Sequence, residues 1–522
     1  MSDVIAAIDV GTNSIHLVVA RATDGSRFEV LDKEKEVVRL GHGSGDMKRM
    51  EPDAVDRGIT ALERFRQVAE TYGASIHAVA TSAVREAENR DVFLERAREE
   101  AGVEVEVISG IEEARLIQLG VLQATPTFDQ QMLLVDIGGG STELVVGRGG
   151  EMLVAKSLKL GTIRLTDRFF QEEPVRSAAV EECRQYVRAY LKHVSRDIRR
   201  AGFEVAVGSS GTIMSVAEMI RARQGKQPSA PASSSPSIAA GDLARVVKAL
   251  LKARTVKERL KVPGLESKRA DIILGGAILL EQLFAELEID TMLVSDYALR
   301  EGVLLDALER TRSSSRQHLR DLRRRSVRLL AEIVPDELGH AQHATGLALQ
   351  LFDATQVLHG LDDDQREILE AAGLLCNVGL FISHAGHHKH SYYVIRNSER
   401  LTGFTDHEVE LIAQVARYHR KSAPKPSHPE FANLRPADQE VVRTLAAMLR
   451  VAVALDRTGS GVVRSVTCKR GSKSLTLLLH TEGADASAEV YTAEARKGLL
   501  EQVLGLPLKI TVVNQAPQAK GA

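Results

Sequence analysis

A chain of 522 residues is longer than one hydrophobic core organises, and division into roughly two to four domains is expected. With 44% hydrophobic and 26% charged residues it has the balance of an ordinary globular protein. A formal charge of −2 excludes the overall basic field that advertises nucleic-acid binding, so any anion site must be local. The three cysteines, Cys183, Cys376 and Cys468, are too few and too scattered for a disulfide framework or a zinc knuckle, and they suit a reducing compartment. The N-terminus enters strand-like sequence at once, which leaves no room for a signal peptide. The apolar stretch 272–280 falls far short of the roughly 18–20 residues that span a bilayer. A cytoplasmic protein that engages neither membrane nor nucleic acid is the expectation.

In chain order, Ala6-Ala7-Ile8 runs into Asp9 and a Gly-Thr-Asn-Ser turn, which predicts a strand, a tight turn and a second strand. Residues 76–80 read as a strand leading through Thr81, Ser82 and Arg85 into a helix that ends near Ala101. Residues 103–108 form the next strand, and Ser109 opens a helix running to about Ala124. The pattern then restarts, with Leu133-Leu134-Val135 before Asp136 and the turn from Gly138 to Thr142. Residues 205–207 lead into Gly208-Ser209-Ser210-Gly211-Thr212 and a helix. Residues 224–241, rich in Pro, Ser and Ala, read as a flexible surface loop. A strand at 291–294 precedes Ser295-Asp296 and a helix from Ala298. From about Gln317 to Arg457 the periodicity is helical, beginning in the basic run 316–328. Short strands follow Gly459-Ser460-Gly461, at 462–468 and 474–480. These shifts place domain boundaries at 1–125, 126–308, 316–458 and 460–522: two α/β halves, an all-helical domain and a small α+β domain.

The most informative feature is internal. Residues 9–21 (DVGTNSIHLVVAR) recur at 136–148 (DIGGGSTELVVGR), offset by 127 without insertion, and seven of the thirteen positions match. An Asp ending a strand before Gly can serve only to cap its own turn. Two copies in register do more: hydroxyls, an amide and a row of backbone N–H groups are the donors a phosphate requires. Two carboxylates beside that phosphate suit Mg²⁺, which is held largely through water. The spacing is not that of a Walker loop. In VISGIEEARL, Ser109 as N-cap puts Glu112 at N3 of a capping box and leaves Glu113 free at a helix N-terminus. Taken alone, Glu113 is equally readable as a dipole-stabilised surface carboxylate. The Arg85 fork suits two phosphate oxygens, or it is an exposed arginine at a helix start. Gly208 to Gly211 is an anion-receiving helix N-terminus or a plain tight turn.

The strings DVGTNSIHLVVA, VISGIEEARL and VDIGGGSTELV resemble the phosphate loops of the actin, sugar kinase and Hsp70 ATPase superfamily. They are similar in particular to its exopolyphosphatase and guanosine pentaphosphate phosphatase (Ppx/GppA) branch, over roughly residues 4–305. The resemblance implies an α/β protein of two actin-like (ribonuclease H-like) subdomains, followed by an all-helical HD-like domain and a small α+β C-terminal domain. It implies that Glu113 orients and deprotonates the attacking water, that Arg85 contacts phosphate, and that residues 208–212 form the third, adenosine-side loop. Ser295-Asp296 matches a motif read as mainly structural. Phosphate binding is thus expected at Gly11, Thr12, Asn13, Ser14, Arg85, Gly138, Gly139, Gly140, Ser141, Thr142, Gly208, Ser209, Ser210 and Gly211. Metal binding is expected at Asp9, Asp136 and Glu143, with Mg²⁺ as cofactor.

In the helical half, His343 stands where HD-type domains place their first metal ligand and Asp456 where they place the last. Cys376-Asn377 occupies the position of the His-Asp doublet, which argues against a dinuclear metal site. His384, His387, His388 and His390 are alternative metal ligands. They are also readable, with Lys389, Arg396, Arg417, Arg420 and Lys421, as a positively charged groove or as solvated helix faces.

The favoured function is an exopolyphosphatase that removes terminal orthophosphate from inorganic polyphosphate by Mg²⁺-assisted hydrolysis. The runner-up is the same hydrolysis at the 5′ end of guanosine pentaphosphate. A kinase on the same scaffold and a non-catalytic sensor of polyphosphate or of guanosine penta- or tetraphosphate are the other classes. A homodimer is the expected assembly.

Overall fold

The computed structural model describes residues 4–23, 27–42, 47–124, 129–224, 236–311, 316–398, 400–471 and 473–513. The chain divides into two compact units, Met1–Leu319 and Arg320–Ala522. Most of the expected surface loop at 224–241 lies outside the described residues, as do the side chains that begin the basic run at 316.

The first unit holds two mixed sheets. In one, β1 (Val4–Val10), β2 (Ser14–Thr23) and β3 (Arg27–Val37) form an antiparallel meander, and β4 (Ser75–Ala80) and β5 (Val105–Val107) continue from β1 in parallel. The other contains β6 (Met132–Ile137), β7 (Thr142–Arg148), β8 (Glu151–Leu158), β9 (Val205–Ser209), β10 (Ser237–Ala239) and β11 (Thr291–Val294). Its order β8-β7-β6-β9-β11 repeats β3-β2-β1-β4-β5 in sequence and in every pairing direction, with β10 added at the edge. The duplication seen in thirteen residues therefore extends over five strands in each half.

Strand periodicity explains the layering. On β1, Ala6, Ile8 and Val10 pack outward against the helices Pro52–Thr71 and Arg90–Glu99, while Ile5 and Ala7 face inward. On β6, Leu133, Val135 and Ile137 pack outward beneath Ser177–Ala201 and Ile273–Leu287, while Met132 and Leu134 face inward. The inward residues of both sheets share one core with the helices Gly110–Ala124 and Leu299–Thr311. Each half thus contributes one face of its central strand to a common middle layer. The apolar run at 272–280 is the buried start of a core helix, and no helix among the described residues is long and apolar enough to cross a membrane.

The two middle helices cross where neither carries a side chain. A Cβ on Gly120 would lie 2.3 Å from the carbonyl oxygen of Ala298, and one on Gly302 would lie 1.8 Å from that of Leu116. Beside the crossing, Arg115 Nη2 bonds Asp306 Oδ1 at 2.6 Å and forks onto Glu112, which ties the helices together in a buried setting.

In the second unit, the helices Leu338–His359, Asp363–Leu375, Asp406–Arg417 and Pro436–Ala454 enclose one core. The three-stranded sheet β12 (Ser465–Arg470), β13 (Leu475–His480) and β14 (Leu508–Val513) contributes Val466, Leu475, Leu477, Leu479 and Leu508 to that same core. The Gly459–Gly461 turn therefore joins two parts of one hydrophobic interior.

Gly302→Ala tests the crossing. The clash is with backbone and no rotamer relieves it, so a stability loss of about 1–3 kcal/mol or more is expected in urea unfolding. An unchanged midpoint would show that the helices separate at no expense.

Candidate active site

Both hairpin turns are closed by the same bond: Gly11 N–H donates to Ser14 O at 3.1 Å, and Gly138 N–H to Ser141 O at 3.0 Å. The turns lie face to face. A Cβ on Gly139 would sit 2.9 Å from Thr12 Cβ, and one on Gly140 3.0 Å from Thr12 Oγ1, so this close approach requires the glycines. Thr12 Oγ1 is in turn 2.8 Å from Ser82 Oγ, at the start of the short helix Ser82–Glu86. Between the turns is a cavity of about 380 Å³. Asp9, Gly11, Thr12, Asn13 and Ser14 line it from the first half, and Asp136, Gly138, Gly139 and Ser141 from the second. Ser210 and Gly211 line it from the third loop, and Glu113 from the first turn of Gly110–Ala124. Ser109 Oγ accepts from Glu112 N–H at 3.1 Å, so that cap sets the rotation of the helix that carries Glu113.

Six expected ligands stand elsewhere. Thr142 Oγ1 donates to Leu160 O at 2.6 Å, and Ser209 Oγ donates to Asp136 Oδ2. Gly208 lies inside β9 against Met292 and Ile213, and Gly140 packs on Ser82 and Met47. Arg85, expected on phosphate, instead donates from Nη1 to Glu113 Oε2 at 2.9 Å and to Ile108 O at 2.9 Å. Glu143, expected on the metal, is fully buried behind the cavity wall, where its Oε1 accepts from Ser157 Oγ at 2.8 Å. In this geometry Arg85 and Glu143 surround Glu113 rather than the cavity.

The carboxylates sit in a setting that resists their ionisation. Burial lifts Asp9 to about 7; Arg300 pulls against this, and Glu113 and Asp136 push with it. Burial also lifts Asp136 to about 7, opposed by the Ser209 hydroxyl and reinforced by Glu113. Glu113 is raised by burial against the pull of Arg85, and Glu143 is raised by burial and then by Glu113. Asp9 Oδ1 and Glu143 Oε2 are buried without a hydrogen-bond partner. These donors fit a divalent cation. Among the described residues no three Asp, Glu, His or Cys donors converge on one position. An ion would therefore take one or two carboxylates and complete its shell with water and phosphate oxygens, as Mg²⁺ does.

Four cations at the cavity were not singled out from sequence: Lys33, Lys35, Arg269 and Arg300. Lys33 and Lys35 alternate along β3, so period two alone puts them on one face. Lys35 stands beside His16, which stands beside Asp9, in a row across three strands. The Lys35 ammonium is held below its ordinary range by burial, then by Arg269. Burial also lowers Arg269. Gly211 makes room for that residue, since a Cβ there would meet the guanidinium of Arg269. Carboxylates offset these charges only in part: Glu301 lies 3.6 Å from Lys33 and 3.8 Å from Arg300, and Glu266 3.7 Å from Arg269. On the third loop Ser210 adopts φ 88° and buries an Oγ without a partner, a strained and unsatisfied arrangement at a cavity wall.

The second unit departs from its expectations. His343 Nε2–H donates to Val463 O at 2.9 Å, and the partner of Asp456 is His340, at 2.7 Å. Arg396 is paired with Asp406 and Glu410, and Arg417 with Glu430, so neither lends charge to a groove. No set of three or more metal-ligating side chains occurs among the described residues.

Comparison with known proteins agrees with this architecture. The Ppx/GppA phosphatase family matches residues 18–311, and Ppx/GppA phosphatase domain III matches 322–488. A crystal structure of an exopolyphosphatase from Cytophaga hutchinsonii is 33% identical with a TM-score of 0.55, covering 59% of this chain and 98% of its own. A Ppx/GppA family member from Aquifex aeolicus is 28% identical with a TM-score of 0.51, over 59% and 99%. An exopolyphosphatase-like protein is 28% identical with a TM-score of 0.53, over 58% and 97%. The fold is that of a phosphatase class of hydrolases built on paired actin-like halves. The chain belongs to the Ppx/GppA phosphatase family.

The raised carboxyls carry a signed prediction for the metal-free protein. Asp9 and Asp136 have folded values near 7 against an ordinary 3.8, so the native state binds their protons more tightly than the unfolded chain does. Their contribution to stability is complete below about 4 and is lost as pH rises through about 7. In chelator, Asp9→Asn should flatten the decline between about pH 4 and 7 and stabilise the protein at pH 8 by on the order of 2 kcal/mol. An unaltered pH slope in urea unfolding would contradict this placement of charge.

Proposed function

We propose that the chain is an exopolyphosphatase that releases terminal orthophosphate from inorganic polyphosphate. One observation carries the reading: a buried carboxylate, Glu113, shares a cavity with two facing phosphate-type turns and the four cations Lys33, Lys35, Arg269 and Arg300. Backbone N–H groups of the two turns, with the hydroxyls of Thr12, Ser14 and Ser141, hold the terminal phosphate. Glu113 holds the attacking water and takes its proton. Its raised affinity for protons brings it nearer to neutral pH, where a general base is most effective. Arg85 fixes the Glu113 carboxylate in position. Bound by Asp9 and Asp136, Mg²⁺ would supply neutralisation of the charge on the transferring phosphoryl group. Lys35, Arg269 and Arg300 meet the phosphates that follow the terminal one, which is the charge distribution of a linear polyanion.

A second reading is hydrolysis of the 5′-terminal phosphate of guanosine pentaphosphate. Met214 favours it, because this side chain lines the cavity at 41% exposure and offers an apolar surface to a purine ring.

Turnover of polyphosphate and of guanosine pentaphosphate by one preparation ranks the two, and faster release from polyphosphate is expected. Glu113→Gln should lower phosphate release by about 10²–10⁴-fold while substrate still binds. Activity within a few-fold of the parent would remove Glu113 from the mechanism. Arg269→Ala should raise KM for polyphosphate more than it lowers kcat and reduce the salt dependence of binding.

A further inference from the structure

The second unit contains a larger cavity, of about 670 Å³, within the range of small-molecule sites. Its lining carries both signs of charge. Arg420 and Arg457 stand close enough to act on Arg496, and Asp336 and Glu337 add carboxylates to the same cavity. Among the described residues none of the three arginines forms an ion pair with a carboxylate. Burial weakens the hold of Arg496 on its proton, and Arg457 and Arg420 weaken it further. Such a group of guanidiniums is repulsive until an anion enters.

The histidines of the HAGHHKH segment explain how one arginine is held. His419 Nδ1–H donates to Ala416 O at 2.7 Å, so its Nε2 is an acceptor. His387 Nε2–H therefore donates to His419 Nε2 at 3.3 Å, and its Nδ1 accepts from Arg420 Nη1 at 3.2 Å. Burial, then Arg420, holds His387 at about 4, so the chain from arginine to backbone carbonyl has a fixed polarity. This chain uses one nitrogen of Arg420 and leaves the rest of its fork to the cavity. His340 donates Nδ1–H to Asp456, which leaves Nε2 uncommitted at the wall. Of the two carboxylates, Glu337 is held by Asn377, whose Nδ2 donates to Oε2 at 2.9 Å.

We propose that this cavity binds a nucleoside diphosphate, its phosphates on Arg420, Arg457 and Arg496 and its sugar or base donors on Glu337 and Asp336. A bare phosphate chain has nothing to give Asp336 and Glu337, whereas a nucleotide carries both anion and N–H or O–H donors in one molecule. The volume accommodates such a ligand, and the arginine fork suits paired phosphate oxygens. The inference is independent of the reaction assigned to the first unit.

Calorimetric titration of the full chain with GDP, ADP and pyrophosphate tests it. Binding of a nucleoside diphosphate more tightly than pyrophosphate is expected. Arg496→Ala should weaken it by at least about tenfold, the loss of one charge-assisted contact. Glu337→Gln should weaken nucleotide binding and leave pyrophosphate unchanged. Ligand-free Arg496→Ala should melt no lower than the parent, since it removes a repelled charge; should it fail to fold, Arg457→Ala, exposed at the rim, makes the same comparison. Absence of nucleotide binding overturns the proposal. So does nucleotide affinity that the arginine variants leave intact, or pyrophosphate binding as tight as that of GDP.

Discussion

The constraint on which the first unit depends is the contact between two backbone turns. Gly139 and Gly140 meet Thr12 at distances that admit no Cβ, and this contact brings Asp9 and Asp136 to one cavity. Everything polar in the cleft follows from that closeness. Three carboxylates are carried out of water together, and their proton affinities rise because burial disfavours charge and each adds to the burden of the next. The β1–β2 and β6–β7 hairpins hold this arrangement from opposite sides, while the crossing at Gly120 and Gly302 locks the helices behind it. Neither half makes a site by itself.

The duplication is also where the halves diverge. Position 16 in the first copy corresponds to position 143 in the second, at the offset of 127, and one is His while the other is Glu. Each pairs across its hairpin with the aspartate that ends the central strand. On the first side the row continues to Lys35, and burial with Arg300 keeps His16 well below its ordinary range, hence neutral beside cations. On the second side the row continues to Ser157, which anchors Glu143 close to Glu113. A symmetric scaffold thus acquires a positive flank and a negative flank. Under the proposed reaction, that polarity would give the substrate one way to lie, with its charge on the first side and its scissile end toward Glu113.

How much of this was legible in the sequence depended on the range of the interaction. Local signals read correctly: the repeated hairpins, the Ser109 cap, and the break into helices after the second half are set by residues within a few positions of one another. Side-chain commitments did not read. Nothing local to Arg85 reveals that its Nη1 is committed to Glu113, 28 positions away, or that Thr142 turns to Leu160. The cations Lys35, Arg269 and Arg300 come from three distant segments, and only their convergence gives them meaning. In the second unit His340 and His343 share one helical face, three residues apart, and spacing alone cannot decide which one meets Asp456. The shared core beneath the C-terminal sheet was hidden for the same reason, because each strand reads as half-buried whatever covers it.

Both cavities display one physical strategy. Like charges are gathered where water cannot fully screen them, and the fold bears the repulsion because the rest of each core is well packed. In the first unit the gathered charges are of both signs, and the carboxylates sit at the deep end against a buried, partnerless Asp9 oxygen. That combination suits the proposed phosphoanhydride substrate, whose anionic oxygens would relieve the cations while a divalent cation would relieve the carboxylates. Groups already aimed and already desolvated need not reorganise when charge builds on the leaving phosphate, which is the source of their effectiveness. The strain at Ser210 belongs to the same account: a left-handed serine with an unsatisfied hydroxyl persists only because the surrounding sheet and helix fix its backbone. Stability conceded at these few residues is the physical basis of a site prepared for its substrate before the substrate arrives.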